Sequence, residues 1–138
     1  MTTNELTALI LAGERAEGDP MAKSAGVALK ALLPVAGMPM LTRVVAALRA
    51  SGRVGRIAVS IPRPDAVDDP ALETLRTEPT PCQSVLAAID QLPTPLLVTT
   101  ADHALLTPEI VGNFVHAAAA ASDADLVAGM VERAAVEA

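Results

Sequence analysis

Three short apolar runs, Leu6 to Ala12, Arg56 to Ile61 and Leu96 to Ala101, most constrain what this chain can become. Each stops at a breaker or a charge: Gly13, Pro62 and Asp102. Runs of this length suit strands better than helices. The first and third are apolar nearly throughout instead of alternating, which implies cover on both faces, as in a parallel sheet. Parallel strands need crossover connections, and the stretches between the runs supply them.

The clearest helix is Pro39 to Ser51, where Leu41, Val44, Val45 and Leu48 share one face and Gly52 marks the stop. Thr80-Pro81 with Gln83 forms a capping box for a helix running to about Leu92, with Val85, Leu86, Ile89 and Leu92 as its inner face. Thr107-Pro108 opens another, with Ile110, Val111, Phe114, Val115 and Ala118 inward. Asp69-Pro70 resembles a cap and first-turn pair, predicting a short helix to about Arg76. Ala124 to Val131 reads as a further strand. Glu14 to Leu29 reads as loop with one short helical turn, Lys30 to Val35 as extended, and Ala36 to Pro39 as a turn. Strands alternating with helices predict one α/β domain over 1–138: a three-layer, Rossmann-like α/β/α arrangement with a mostly parallel sheet.

Composition narrows the function classes. A net charge of −6 argues against general nucleic-acid binding, which needs a basic face. No apolar run approaches the roughly 20 residues of a membrane span. The start, Met1 to Leu6, has neither the basic stretch nor the apolar core of a secretory leader. One cysteine, Cys82, excludes an internal disulfide and fits a reducing cytoplasm. Phe114 is the only aromatic residue, so aliphatic side chains must fill the core.

The loop leaving the first strand is where chemistry is expected. A buried strand emptying at Gly13 can present backbone N–H groups to phosphates, and a lysine such as Lys30 adds a mobile positive charge. The loop is not a dinucleotide fingerprint, since no G-x-G-x-x-G follows Gly13. Nor is it a Walker A loop: Ala22-Lys23-Ser24 mimics the tail of one, but Glu17 and Ala22 stand at the glycine positions.

What remains is Leu11-Ala12-Gly13 with Arg15, then Lys30, Pro34 and Val35-Ala36-Gly37-Met38-Pro39-Met40-Leu41. A second landmark is Val98 to His103, a strand ending in Asp102, followed by Leu106-Thr107-Pro108-Glu109. In this order the two resemble the MobA-like nucleotidyltransferases, whose fold is of the GT-A type. The resemblance implies transfer of a nucleotidyl group from an NTP to a phosphorylated or cofactor acceptor, with release of pyrophosphate. It implies that Leu11, Ala12 and Gly13 wrap the triphosphate, that Arg15 and Lys30 neutralise phosphate charge, and that Asp102 holds Mg²⁺. Ser84 lies where the family often contacts the base. CTP and GTP are the usual nucleotides of such proteins.

The chain departs from the pattern in three places. Glu14 replaces the second glycine, and a carboxylate beside a triphosphate is repulsive unless it points away. The loop from Gly13 to Lys30 is long and leaves Arg15 and Lys23 as alternative phosphate partners. The pattern covers the nucleotide-binding portion of the family's domain; the acceptor region would follow Val131, so the fold is expected to be C-terminally incomplete. Two other readings are a nucleotide-binding module without chemistry, which Glu14 favours, and a structural α/β domain. A free sheet edge would allow self-association in any of the three.

Overall fold

The computed structural model describes residues 6–138; Met1 to Glu5, most of the stretch tested for a secretory leader, lie outside the described residues. Strand β1, Leu6–Leu11, is the centre of the sheet. It pairs in parallel with β4, Val54–Ser60, on one side and with β6, Leu96–Thr100, on the other. Leu11 stands opposite Ser60 and opposite Thr100, so all three strands end at one level. Beyond β4 lies β5, Glu73–Leu75, also parallel. The order is β5-β4-β1-β6. Ala8, Leu9 and Ile10 are wholly buried, as expected for a strand covered on both faces.

Helix α2, Met40–Ala50, covers one face. The predicted stripe of Leu41, Val44, Val45 and Leu48 is buried against Ala8, Ile10, Val59 and Ile61. Full burial of Leu48 alone contributes about 2 kcal/mol of transfer free energy. Gly52 beyond the helix has φ +67°, a left-handed conformation that costs a Cβ-bearing residue energy. Helix α4, Pro108–Ala120, lies on the same side and buries Val111. The other face carries α3, Pro81–Ile89, whose Ala88, with Leu92 beyond it, meets Leu9 and Ala58. The layers are therefore α/β/α around a parallel sheet, as the sequence predicts.

Several local expectations need correction. Lys30 to Val35 is not extended throughout: Lys30–Leu32 is a 3₁₀ turn, followed by the two-residue strand β2, Pro34–Val35. β2 makes a small antiparallel hairpin with β3, Met38–Pro39. The loop helix is more than one turn: α1, Pro20–Ala25, is capped by Asp19, whose carboxylate accepts the Met21 and Ala22 N–H groups at 2.8 and 3.1 Å. Asp69-Pro70 opens no helix. Asp69 accepts the Ala71 N–H at 2.9 Å in a local turn, and the chain then adds β5 to the sheet edge, where Arg56 and Glu73 form a 2.7 Å ion pair across the strands. Pairing with β4 outweighs the weak helix signal of so short a stretch.

In α3 the predicted inner face is rotated. Ser84 and Ala88 are buried, while Leu86 is 63% exposed and Ile89 45%. Two small residues at i and i+4 let the helix approach β1 closely. In α4, Ile110 points outward and Phe114 and Val115 are half-buried. Ala124 to Val131 is not a strand: it has no ladder partner and its side chains are exposed. The run instead passes Phe114, close enough that a Cβ on Gly129 would stand 3.1 Å from the ring. The short helix α5, Arg133–Val136, follows.

Candidate functional site

Sheet order places the candidate site. From β1 the chain moves outward to β4 and β5, then returns to the other side of β1 as β6. The crevice outside the strand ends at such a reversal is where open α/β sheets bind ligands. A cleft of about 460 Å³ opens there. All seven residues expected from the sequence line it: Leu11, Ala12, Gly13, Arg15, Lys30, Ser84 and Asp102. A cavity of about 540 Å³ between α2 and residues 66–72 is larger. Its lining is mainly aliphatic, and its Arg49 is spent on Asp69 at 2.8 Å, so it offers less chemistry.

Asp102 follows β6 closely, one residue after Ala101. The Thr100 hydroxyl donates to its Oδ1 at 2.7 Å, and Lys30 Nζ lies 3.3 Å from Oδ2. The Thr100 hydrogen bond, then the Lys30 ammonium, hold the carboxyl below the usual carboxylate range, against an opposing effect of partial burial. Asp102 is therefore an ionised, half-exposed oxygen donor at neutral pH. Lys30 reaches it from the 3₁₀ turn that ends the first loop.

The loop itself is ordered by its own polar groups. The Gly18 N–H donates to the Arg15 carbonyl at 2.9 Å, and Asp19 caps α1. Lys23 Nζ donates to the Glu17 carbonyl at 2.6 Å, which turns it back into the loop and off the cleft wall. Arg15 lines the cleft and is exposed. Glu14 does not point freely at the cleft: its carboxylate accepts the backbone N–H of Lys30.

The opposite wall is Thr77 to Pro81. Ser84 is buried, and its hydroxyl accepts the Glu78 N–H at 2.9 Å, tying the wall to α3 and leaving the hydroxyl hydrogen free to donate. Thr80 caps α3 by accepting the Gln83 N–H at 3.2 Å. Sequence reasoning missed one residue. Ser60, at the end of β4, lines the cleft floor, is 1% exposed, and its hydroxyl has no hydrogen-bond partner among the described residues. A polar residue closing an otherwise apolar strand was the available signal.

The cleft's charged lining is Glu14, Asp19, Glu78 and Asp102 against Arg15 and Lys30, a formal excess of two negative charges. Among the described residues no group of three or more His, Cys, Asp or Glu side chains could enclose a metal ion. Asp102 would offer one hard oxygen donor, a set that would suit an ion taking its other ligands from phosphate and water.

This α/β fold is shared with solved nucleotidyltransferases. The profile of the MobA-like NTP transferase domain matches residues 8–135, and the chain belongs to that family. No curated protein matches. Among solved structures, a hypothetical transferase from Thermus thermophilus is 32% identical, with TM-score 0.67, over 83% of this chain and 47% of its own. The 2-C-methyl-D-erythritol 4-phosphate cytidylyltransferase of the same species shares the fold at 22% identity, TM-score 0.63, over 84% of this chain and 50% of its own. Rv0371c of Mycobacterium tuberculosis, solved with manganese, does so at 15% identity, TM-score 0.63, over 86% and 62%. The chain thus spans about half to three-fifths of the length of these structures. Among the described residues no helix is long and apolar enough to cross a membrane.

Proposed function

We propose that the cleft binds a nucleoside triphosphate with Mg²⁺, and that the chain is the nucleotide-binding part of a transferase moving a nucleotidyl group to a small phosphorylated or cofactor acceptor. The observation that carries this is the convergence of the Leu11–Gly13 strand end, Arg15, Lys30, Ser84 and Asp102 on one crevice at the sheet's switch point. In the reaction an acceptor oxygen bonds to the α-phosphorus as the bond to pyrophosphate breaks. Negative charge grows on the leaving pyrophosphate.

Backbone N–H groups around Gly13 serve the phosphate oxygens, and Arg15 and Lys30 offset the growing charge. Lys30 exchanges its contact with Asp102 for the phosphates when nucleotide enters. Asp102 would hold a Mg²⁺ ion, which would supply charge neutralisation at the phosphates. The excess of carboxylates in the cleft supports that need, because a triphosphate alone would meet a net negative lining. The Ser84 hydroxyl, with its spare hydrogen, and the unpartnered Ser60 hydroxyl serve the nucleoside. Cytoplasmic residence fits the free, exposed Cys82.

The test is calorimetric titration with CTP, GTP, ATP and UTP in Mg²⁺, since no Trp or Tyr is present for intrinsic fluorescence. Uptake of one nucleotide, weakened at least about tenfold by Lys30→Ala, is expected; one lost charge-assisted contact is of that size. Failure of all four nucleotides to bind would refute the reading.

A further inference from the structure

The 3₁₀ turn that carries Lys30 lacks a cap of its own: Leu29, the residue before it, provides no side-chain hydrogen bond. The N–H of Lys30 is instead taken by the Glu14 carboxylate, 16 residues earlier in sequence. Glu14 is the second residue beyond the buried Ala12, whose N–H is fixed to the Ser60 carbonyl at 2.8 Å. Its grip therefore ties the loop's end to the rigid end of the sheet. Lys30 Nζ continues the line to Asp102, and Asp102 to Thr100 on β6. One chain of polar contacts thus runs from the end of β1 to the end of β6 along the lining of the cleft.

We propose that Glu14 is a positioning residue for Lys30: a remote cap that closes the base of the 14–29 loop and aims the ammonium into the cleft. This rests on the nucleotide-binding reading above. It gives the carboxylate a role at a position where a free negative charge would repel a triphosphate. The hydrogen bond from a backbone N–H to a carboxylate is charge-assisted, which makes it one of the stronger ties available to the loop. Burial of Leu29 and Ala31 beside Ala12 already holds the far end of the loop against the sheet, and the Glu14 contact adds the directional tie that fixes the Lys30 backbone between them.

Three measurements test this. Hydrogen exchange by NMR on the nucleotide-free protein reads the contact itself: Glu14→Ala should speed exchange of the Lys30 amide at least about tenfold, since the amide loses its one acceptor, and Glu14→Gln, which keeps an acceptor oxygen, should hold it near wild type. Calorimetry with the nucleotide that wild type binds in Mg²⁺ should show roughly tenfold weaker binding for Glu14→Ala and recovery in Glu14→Gln. In a Lys30→Ala background, Glu14→Ala should cost little more, because its effect runs through Lys30. Tighter binding by Glu14→Ala would overturn the proposal and mark Glu14 as a repulsive group. So would a loss that persists undiminished without the Lys30 side chain, or an unchanged exchange rate. Wild type that binds no nucleotide sinks the nucleotide reading and the positioning role together; wild type that binds while Glu14→Ala binds equally well sinks the role of Glu14 alone.

Discussion

Ser60→Ala separates a ligand-facing hydroxyl from a structural one, because the two predict opposite signs. Ser60 is 1% exposed and its hydroxyl meets no donor or acceptor among the described residues. Burying a hydroxyl without a partner costs about 1–3 kcal/mol. Alanine removes that cost and one oxygen's worth of packing, for a net stabilisation of roughly 1 kcal/mol. For a domain of this size that is a rise in Tm of about 3–5 °C, followed by far-UV circular dichroism. Affinity should move the other way. If the hydroxyl bonds the nucleoside, its loss removes that bond and leaves the nucleotide's own polar atom unpaired. A cost of about 1.4 kcal/mol is tenfold in Kd, read by calorimetry. A more stable variant that binds nucleotide about tenfold more weakly is the expected result. A lower Tm would show that the hydroxyl is satisfied within the protein, and an unchanged Kd would show that it faces no ligand; either refutes the reasoning.

Thr100→Val keeps the β-branched shape and removes the hydroxyl that most strongly holds Asp102 ionised, so the Asp102 pKa should rise toward the ordinary carboxylate range in a ¹³C NMR titration. The sign follows from linkage. A depressed carboxyl pKa contributes stability above the unfolded value of about 3.9, lost as pH falls through the lower folded value, so in the variant the contribution is smaller and its loss is complete at a higher pH. Asp102→Asn should weaken nucleotide binding at least about tenfold in Mg²⁺ yet not in EDTA, where removing a negative charge helps the triphosphate enter; equal losses in both buffers would argue against a metal-ligand role.

Much of the fold was legible because the middle of β1, Ala8–Ile10, and of β4, Ile57–Val59, is continuously apolar, and a parallel sheet with two helix layers is the arrangement that buries such strands; β6, with the same apolar start, lies at the end of the described sheet and stays partly exposed, Val98 by 41%. The stripe on α2 was equally plain: it packs on a flat face, so 3.6-residue periodicity maps directly to burial. Periodicity failed at α3 because the residues that approach the sheet, Ser84 and Ala88, are small, while the larger Leu86 and Ile89 dominate the apolar pattern from the outer side. It failed at Glu73–Leu75 because three residues carry no period, and what makes them a strand is the edge of β4 alongside. The same reasoning applies in reverse at Ala124 to Val131, an apolar run that finds no edge in the described sheet and remains irregular.

The cleft divides along the same line. Lys30, Arg15 and Asp102 were readable because a charge beside a strand end needs no partner to attract notice. Glu14 and Ser60 were not readable as parts of the site, since each acquires meaning from what it touches. Glu14 alone is a negative charge where phosphate should sit, and it becomes a fastening only when the chain returns to bring the Lys30 N–H against it. Ser60 alone is one hydroxyl in an apolar strand, and its interest lies in the lack of a partner where burial demands one. The charge balance of the cleft follows suit. With more carboxylates than cations on its walls, the cleft repels a bare triphosphate more strongly than the same triphosphate carrying a divalent cation, so nucleotide affinity should depend steeply on divalent cation concentration. Calorimetric Kd values measured across a Mg²⁺ series check this, and an affinity independent of Mg²⁺ would show that Arg15 and Lys30 suffice for the triphosphate.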